Sequence, residues 1–317
     1  MTKVLDRLRL GPAEAGAVFV RSPHYHREAE WPLIIYTVSL QSAVGTLIGG
    51  LLWPRFGQAP FENLLVTLAL GAMGMFGAMG HLASPFRAPR AILNWRHSWL
   101  SREILLSAAF MGMVFLAGLM YLLPDLVGSE SDLSALVAGG LRVLAAFTGL
   151  VLLGAMSMSY LVPTRPVWNH HDTSAGFYAG AFQLGWVVSA ALLFVRVQRI
   201  EGAPLVLIAC GLMVLTLLRL YVILRVKDRL SNLNVYEDQP HSWLTGGIRR
   251  IRIILAIAGG VVAPLVSMAV MLAPQTFSGA WTQGIWILAA LLLIIGEGID
   301  RWVFFEASPA VIFPPRF

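Results

Sequence analysis

Charged residues and cysteine are scarce in this chain of 317 residues. Asp, Glu, Lys and Arg make up only 13% of the residues and hydrophobic residues 57%, which departs from the balance of soluble domains. The single cysteine, Cys210, excludes an internal disulfide, and it cannot hold an iron–sulfur cluster, which is bound by several thiolates. Because Cys210 lies inside an apolar block, we expect it to serve packing.

Histidine pairs and nucleotide-binding motifs are also missing. Of the seven histidines, only His81 lies at the end of an apolar block, and the others lie in predicted loops or tails. A haem of the cytochrome b type needs paired axial histidines inside facing helices, so the sequence predicts no haem. No glycine-rich phosphate loop is present. The net charge is +6, but the basic residues are concentrated near the ends of the apolar blocks. This distribution does not indicate nucleic-acid binding.

Long apolar runs are what the sequence has instead. A helix needs roughly 20 mostly apolar residues to span a bilayer. Eight blocks of about this length occur at 32–53, 63–83, 103–124, 142–162, 175–196, 203–224, 252–273 and 284–305. They predict an all-α integral membrane protein with eight transmembrane helices in a bundle. An even number of spans puts both termini on one side.

The predicted organisation has three parts: a polar N-terminal tail over 1–30, a membrane domain over 31–306 and a short C-terminal tail over 307–317. The N-terminal tail lacks the apolar core and small-residue cleavage site of a signal peptide. It mixes aromatic with basic residues. It is therefore either a disordered tail or an arm that docks a partner.

The basic residues are distributed unevenly across the predicted membrane. We name face one the side that holds both tails and the loops between spans 2 and 3, 4 and 5, and 6 and 7; face two is the other side. Nineteen Lys and Arg residues lie nearer face one and four lie nearer face two. Because Lys and Arg mark cytoplasmic loops, both termini are predicted to be cytoplasmic. Arg142, one of the four, is expected to snorkel from the start of span 4.

Ionisable residues at the face-one ends of the spans are the candidates for function, since such groups are costly in a membrane. His81 ends span 2 and Glu103 begins span 3. Parity brings Tyr160 and Arg301 to the same face. An imidazole and a carboxylate facing each other could hydrogen-bond a quinone and exchange its protons. Alternatively, His81 caps a helix or meets lipid headgroups, and the helix dipole accounts for Glu103.

Glu297 and Arg301 lie four residues apart in the last block. This spacing favours a pair on one helix face, so we expect a structural ion pair rather than a proton path.

Several motifs occur together in one order along the sequence. They are Glu30-Trp31-Pro32-Leu33-Ile34-Ile35-Tyr36-Thr37-Val38, His81-Leu82-x-Ser84-Pro85-x-Arg87-Ala88, Ser101-x-Glu103-Ile104, Tyr160 with Val162-Pro163-Thr164 and Trp168, and Gly296-Glu297-x-x-x-Arg301-x-x-Phe304-Phe305. With these motifs the protein resembles the eight-span anchor subunits of dimethyl sulfoxide reductase and related molybdenum enzymes.

The resemblance implies a quinone site for menaquinone or ubiquinone, lined by His81, Ser84, Arg87, Glu103 and Tyr160. In that case His81 hydrogen-bonds one quinone oxygen and Glu103 relays protons between the quinone and water. Arg87 and Tyr160 orient the bound quinone. The resemblance assigns no metal, haem or iron–sulfur cluster to this protein. It implies that the protein is the quinone-binding subunit of an oxidoreductase made of several subunits.

The resemblance also implies two partners in a bacterial inner (cytoplasmic) membrane. A ferredoxin-like iron–sulfur subunit docks on face one, at the tail and the loops between spans 2 and 3 and spans 6 and 7. The bis-molybdopterin site belongs to a separate catalytic subunit.

The predicted orientation separates this protein from the dimethyl sulfoxide reductase anchors, whose docking face lies outside the cytoplasm. It is more similar in this respect to the anchor of the cytoplasm-facing sulfite dehydrogenase, which implies quinone reduction coupled to sulfite oxidation. The alternatives are the quinol-oxidising anchor of a terminal reductase, an inert anchor, and an ion-translocating subunit. The last is disfavoured because no inverted repeat or mid-span charged path is apparent.

Overall fold

The computed structural model of the protein is a bundle of long helices. It describes residues 18–19, 31–52, 60–81, 92–127, 132–163, 165, 168–197, 200, 202–232, 247–272, 279–306 and 311–312. Among these residues, eight helices are long and apolar enough to cross a membrane. The predicted fold class is therefore confirmed.

The eight spans run in sequence order as follows. Spans 1 to 4 are Trp31–Leu52, Pro60–His81, Trp99–Val127 and Asp132–Tyr160, and spans 5 and 6 are His171–Arg196 and Ala203–Asn232. Span 7 consists of Gly247–Ile257, a π-helical turn over Ala258–Val262 and Ala263–Leu272. Span 8 is Gly279–Glu306.

The start of span 4 differs most from the prediction. The sequence predicts this apolar block over 142–162, whereas the helix begins ten residues earlier at Asp132. Arg142 therefore lies within the span, where its side chain is only 4% exposed and its Nη2 donates to the carbonyl of Gly50 at 2.9 Å. The prediction that Arg142 snorkels is wrong, because the guanidinium is buried against the end of span 1.

Span 1 is the centre of the bundle and is buried along most of its length. It packs most closely on span 5, where the backbones of Gly45 and Gly185 touch. A Cβ atom at Gly45 would overlap the carbonyl oxygen of Ala181, and one at Gly185 would overlap the backbone of Gly45. Glycine is therefore required at this crossing, as in other close helix contacts in membranes.

The two ends of the protein meet in a short ribbon. Strand β1 (Val18–Phe19) pairs antiparallel with strand β2 (Val311–Ile312). This pairing places the N-terminal and C-terminal segments on the same side of the bundle, as the even number of spans requires. The rest of the N-terminal tail lies outside the described residues. The prediction that this tail docks a partner therefore stays a prediction.

Candidate functional site

Glu103 is buried near the beginning of span 3, and two other spans hold its carboxylate. The residue is only 2% exposed. The Tyr36 hydroxyl of span 1 donates to Oε1 at 2.7 Å, and the Ser159 hydroxyl of span 4 donates to Oε2 at 2.8 Å. These two bonds fix the orientation of the carboxylate and leave acceptor capacity on both oxygens.

The start of span 3 shows that the helix dipole alone does not explain why a glutamate occurs at position 103. Span 3 begins at Trp99, four residues before the predicted block, so its first turn contains no acidic residue. The helix dipole acts mainly within that first turn. Glu103 lies beyond it and instead faces Tyr36 and Ser159.

Tyr160, the last residue of span 4, lies in an aromatic cluster. Its ring is stacked at 5.6 Å from Phe177 of span 5, measured between ring centroids. Phe304 of span 8 and Trp168 of the following loop meet it edge-on at 5.4 and 5.3 Å. Ser159, which donates to the Glu103 carboxylate, precedes Tyr160, so the carboxylate and the aromatic cluster lie at the same end of span 4.

His81 ends span 2, and its side chain lies outside what the structure describes. The last turns of span 2 run along the first turns of span 1: a Cβ at Gly77 would meet the carbonyl oxygen of Pro32 at 3.1 Å, and one at Gly74 that of Tyr36 at 3.2 Å. The helix end that carries His81 therefore lies at the same end of the bundle as Tyr36. Ser84 and Arg87, the other predicted pocket residues, lie outside the described residues.

Glu297 and Arg301 form the predicted ion pair, with Arg301 Nε donating to Glu297 Oε1 at 3.0 Å. The sequence does not indicate how far this pair extends. Arg219 of span 6 donates to the other oxygen of Glu297 at 2.7 and 3.0 Å and also contacts Asp300. Asp300 in turn pairs with Arg252 of span 7. The five side chains form a charge network that joins spans 6, 7 and 8.

The charge network touches the aromatic cluster through Arg301. Its guanidinium carbon lies 3.9 Å from the ring centroid of Phe177, which is the ring stacked on Tyr160. Arg301 also donates to the side-chain oxygen of Gln41 at 3.3 Å. The structure thus brings Glu103, Tyr160 and Arg301 to one end of the bundle, as parity predicted.

A comparison with protein families identifies the scaffold. The model of the family described as DMSO reductase anchor subunit (DmsC) matches residues 26–306. The protein belongs to this family.

Curated relatives of this anchor subunit come from two kinds of complex. It is 29% identical over 195 residues to the anaerobic dimethyl sulfoxide reductase chain YnfH of Escherichia coli, covering 57% of this sequence and 66% of that protein. It is 29% identical over 182 residues to an anaerobic dimethyl sulfoxide reductase chain of Haemophilus influenzae, covering 54% and 61%. It is 31% identical over 135 residues to a sulfite dehydrogenase subunit of Allochromatium vinosum, covering 40% of each protein.

Two residues of the site were not predicted from the sequence of this anchor subunit. Tyr36 lies within one of the family motifs, but nothing in the sequence pairs it with Glu103, 67 residues away. Ser159 precedes the predicted Tyr160 and has no pattern of its own. The only available signal was that both are polar residues at the face-one ends of apolar blocks.

Proposed function

We propose that this protein is the quinone-reactive membrane anchor of a molybdenum and iron–sulfur oxidoreductase. It exchanges electrons between the iron–sulfur clusters of a partner subunit and a quinone dissolved in the membrane. The observation that carries this proposal is the buried Glu103 carboxylate, which Tyr36 and Ser159 orient at the end of the bundle that holds the Tyr160 aromatic cluster.

The residues present suit the headgroup of a quinone. A headgroup of this kind is a flat ring with polar oxygens at its edge, so it needs aromatic or apolar walls and hydrogen-bonding groups. Tyr160 supplies an aromatic wall, and Glu103 supplies an acceptor that is shielded from water. Binding sites for small molecules combine these same two elements.

Within this site, each side chain has a distinct role. A bound quinone would supply the electron carrier and the oxygens that gain or lose protons. Glu103 holds or releases a proton at its carboxylate, while the Tyr36 and Ser159 hydroxyls keep that carboxylate in one orientation. His81 is assigned to the second oxygen of the headgroup, and Ser84 and Arg87 to the remaining wall of the pocket.

We place the partner on face one of an inner-membrane protein. An iron–sulfur subunit must approach within electron-transfer reach of the quinone, and the Glu103 site lies at this end of the bundle. Basic groups are available there: the exposed Arg96 lies 5.5 Å from the Trp95 ring centroid, and the half-buried Arg102 guanidinium stacks 4.2 Å from that of Trp99. The excess of basic residues on face one supports a cytoplasmic orientation. A catalytic partner with bis-molybdopterin completes the complex.

We assign the partner's reaction to sulfite oxidation, so that electrons flow into the quinone. A cytoplasmic docking face and the 31% identity to a sulfite dehydrogenase subunit support this assignment. The longer alignments to two dimethyl sulfoxide reductase chains favour the alternative of a quinol-oxidising terminal reductase. Both assignments use the same site in this protein, with electrons moving in opposite directions.

The test is quinone reduction by the purified complex supplied with sulfite, for wild type, His81→Ala and Glu103→Gln. Loss of a positioned proton-transfer group lowers such rates by about 100-fold or more. We expect both variants to lose quinone reduction while sulfite still reduces the iron–sulfur clusters. Glu62→Gln, on the exposed face-two pair with Arg196, is the matched control and should retain full activity.

Three other outcomes would contradict parts of the proposal. Full activity in both variants would make this protein an inert anchor. Inactivity with sulfite, together with quinol-driven reduction of an S-oxide or N-oxide, would assign it to a terminal reductase. Charge movement across sealed vesicles during turnover would assign it an ion-translocating role.

A further inference from the structure

We infer that Arg142 is an electrostatic barrier that closes the membrane domain to protons entering from face two. The barrier lies in the opposite half of the bundle from Glu103. It concerns passive proton flow, so it does not depend on the proposed quinone chemistry.

The charge of Arg142 is buried, and none of the described residues supplies a counter-ion. Its Nη2 donates to the carbonyl of Gly50, near the end of span 1. Within the described part of the sequence, its Nε has no hydrogen-bond partner, and no carboxylate lies within ion-pair distance. Arg219 and Arg301, in contrast, each bind the carboxylate of Glu297. A cation kept uncompensated inside a membrane is costly, which points to a function.

Two polar atoms around Gly50, the residue whose carbonyl Arg142 binds, are also unsatisfied within the part of the protein that the structure describes. Thr46 Oγ1 and Asn63 Oδ1 are buried there without hydrogen bonds. They belong to one cluster, because Asn63 Nδ2 donates to the carbonyl of Thr46 at 2.9 Å and a Cβ at Gly50 would contact the Asn63 amide. Buried polar atoms of this kind are usually satisfied by internal water. Such water would bring a proton carrier up to the guanidinium.

A line of buried hydroxyl groups is spaced along span 1 between this cluster and the Glu103 site. Ser39, Ser42 and Thr46 follow one another at intervals of three and four residues along span 1, on the flank between Tyr36 and Gly50. From Tyr36 to Gly50 the helix rises by roughly 21 Å. Hydroxyl groups both donate and accept hydrogen bonds, so this line together with water could pass protons through the bundle.

A fixed positive charge at the face-two end of the line would stop that passage. A guanidinium group is a permanent cation that does not relay protons. Its field repels an incoming proton strongly because the surroundings are poorly polarisable. Positive charges exclude protons from membrane pores in the same way.

The competing explanation is that Arg142 only caps span 1. The Gly50 carbonyl is among the last four of the helix, which lack partners within it, and arginine side chains often satisfy such groups. Charge and hydrogen bonding can be separated by substitution. Gln at position 142 can still donate to the carbonyl but carries no charge.

The experiment measures proton entry into liposomes that contain the intact complex and a trapped pH dye, under a potassium diffusion potential. We expect wild type to be tight and Arg142→Gln to admit protons about tenfold faster or more. Adding Thr46→Val to Arg142→Gln interrupts the hydroxyl line and should restore tightness. Arg142→Gln liposomes as tight as wild type would overturn the inference.

Asn63→Asp provides a second test that leaves Arg142 intact, in case Arg142→Gln does not fold. It places a carboxylate next to Gly50, whose carbonyl the guanidinium binds, and so opposes the field of Arg142. We expect this variant to leak protons as well, and a tight Asn63→Asp complex with normal melting behaviour would contradict the barrier.

Discussion

At the scale of single residues, the hydrogen bonds to Glu103 carry the clearest prediction. Tyr36→Phe removes the donor to Oε1 and leaves the ring in place. A hydrogen bond to a charged group is worth about 1.5–3 kcal/mol, so we expect quinone turnover to fall by about tenfold or more while the fold is retained. Steady-state kinetics with varied quinone, reported as kcat and KM, measure this effect.

The matched control is Tyr178→Phe, which removes a hydroxyl that donates to the carbonyl of Leu150 on span 4, away from Glu103. It should leave turnover unchanged. Because Tyr36 is proposed to act through Glu103, its substitution should have little further effect in a Glu103→Gln background. Additive losses in the double variant would contradict that role.

The charge network gives a prediction about stability. Glu297→Gln removes the carboxylate shared by Arg219 and Arg301, leaving two buried guanidinium groups with weakened partners. Breaking a buried pair in this way costs about 3–5 kcal/mol. We expect a clear loss of stability when the purified protein is unfolded by heat or by denaturing detergent.

The exposed pair on face two is the control for that experiment. Glu62 contacts Arg196 at 2.6 Å, but both side chains are nearly half exposed. A surface pair contributes about 0–1 kcal/mol, so Glu62→Gln should melt close to wild type. Equal melting of the Glu62 and Glu297 variants would mean that the network does not stabilise the bundle.

At the scale of helices, the crossing of spans 1 and 5 is the most sensitive contact. Gly45→Ala would place a methyl group on the backbone of span 5, which cannot move aside as a side chain could. Overpacking of this kind costs about 1–3 kcal/mol or more. We expect lower yield and lower thermal stability, measured on detergent-purified protein.

Gly112→Ala in span 3 is the corresponding control. A Cβ at Gly112 meets nothing within 4 Å, and alanine is a better helix former than glycine. This variant should be as stable as wild type or slightly more stable. If Gly45→Ala behaves in the same way, the close crossing of spans 1 and 5 is not required.

The Glu103 site and the charge network around Glu297 show which buried residues can be predicted from the sequence of a helix and which cannot. Glu103 and Glu297 could be found because a carboxylate in an apolar block is costly wherever it points. Their partners Tyr36 and Arg219 could not, because pairing them requires the rotation and neighbours of each helix. The sequence did not predict that Arg142 lies inside span 4, because the predicted apolar block begins at Arg142 itself. The helix in fact begins at Asp132, so residues 132–141 precede the arginine within the span.

At the scale of the whole molecule, the topology can be tested directly. Both termini lie on one side, since eight spans separate them and β1 pairs with β2. Reporter domains that work only on one side of the membrane, fused in turn to each end, should give the same answer. We expect both fusions to report the cytoplasm, whereas opposite answers would contradict the eight-span fold.

The number of spans was predictable because the thickness of the bilayer acts on each segment independently. Which span lies at the centre of the bundle was not predictable, because a span is apolar in sequence whether it faces lipid or protein. Span 1 is no more hydrophobic than its neighbours, yet it is the most enclosed of the eight described helices. The motif order identified the family, and through it the candidate site.

The ribbon formed by the two ends of the protein has a consequence for biogenesis. Its strands are the first and last regular elements among the described residues, so β1 has no partner until almost the whole sequence has been synthesised. All eight spans lie between them and must be made before the ribbon can close. Its formation therefore marks a polypeptide in which all eight spans have already been synthesised.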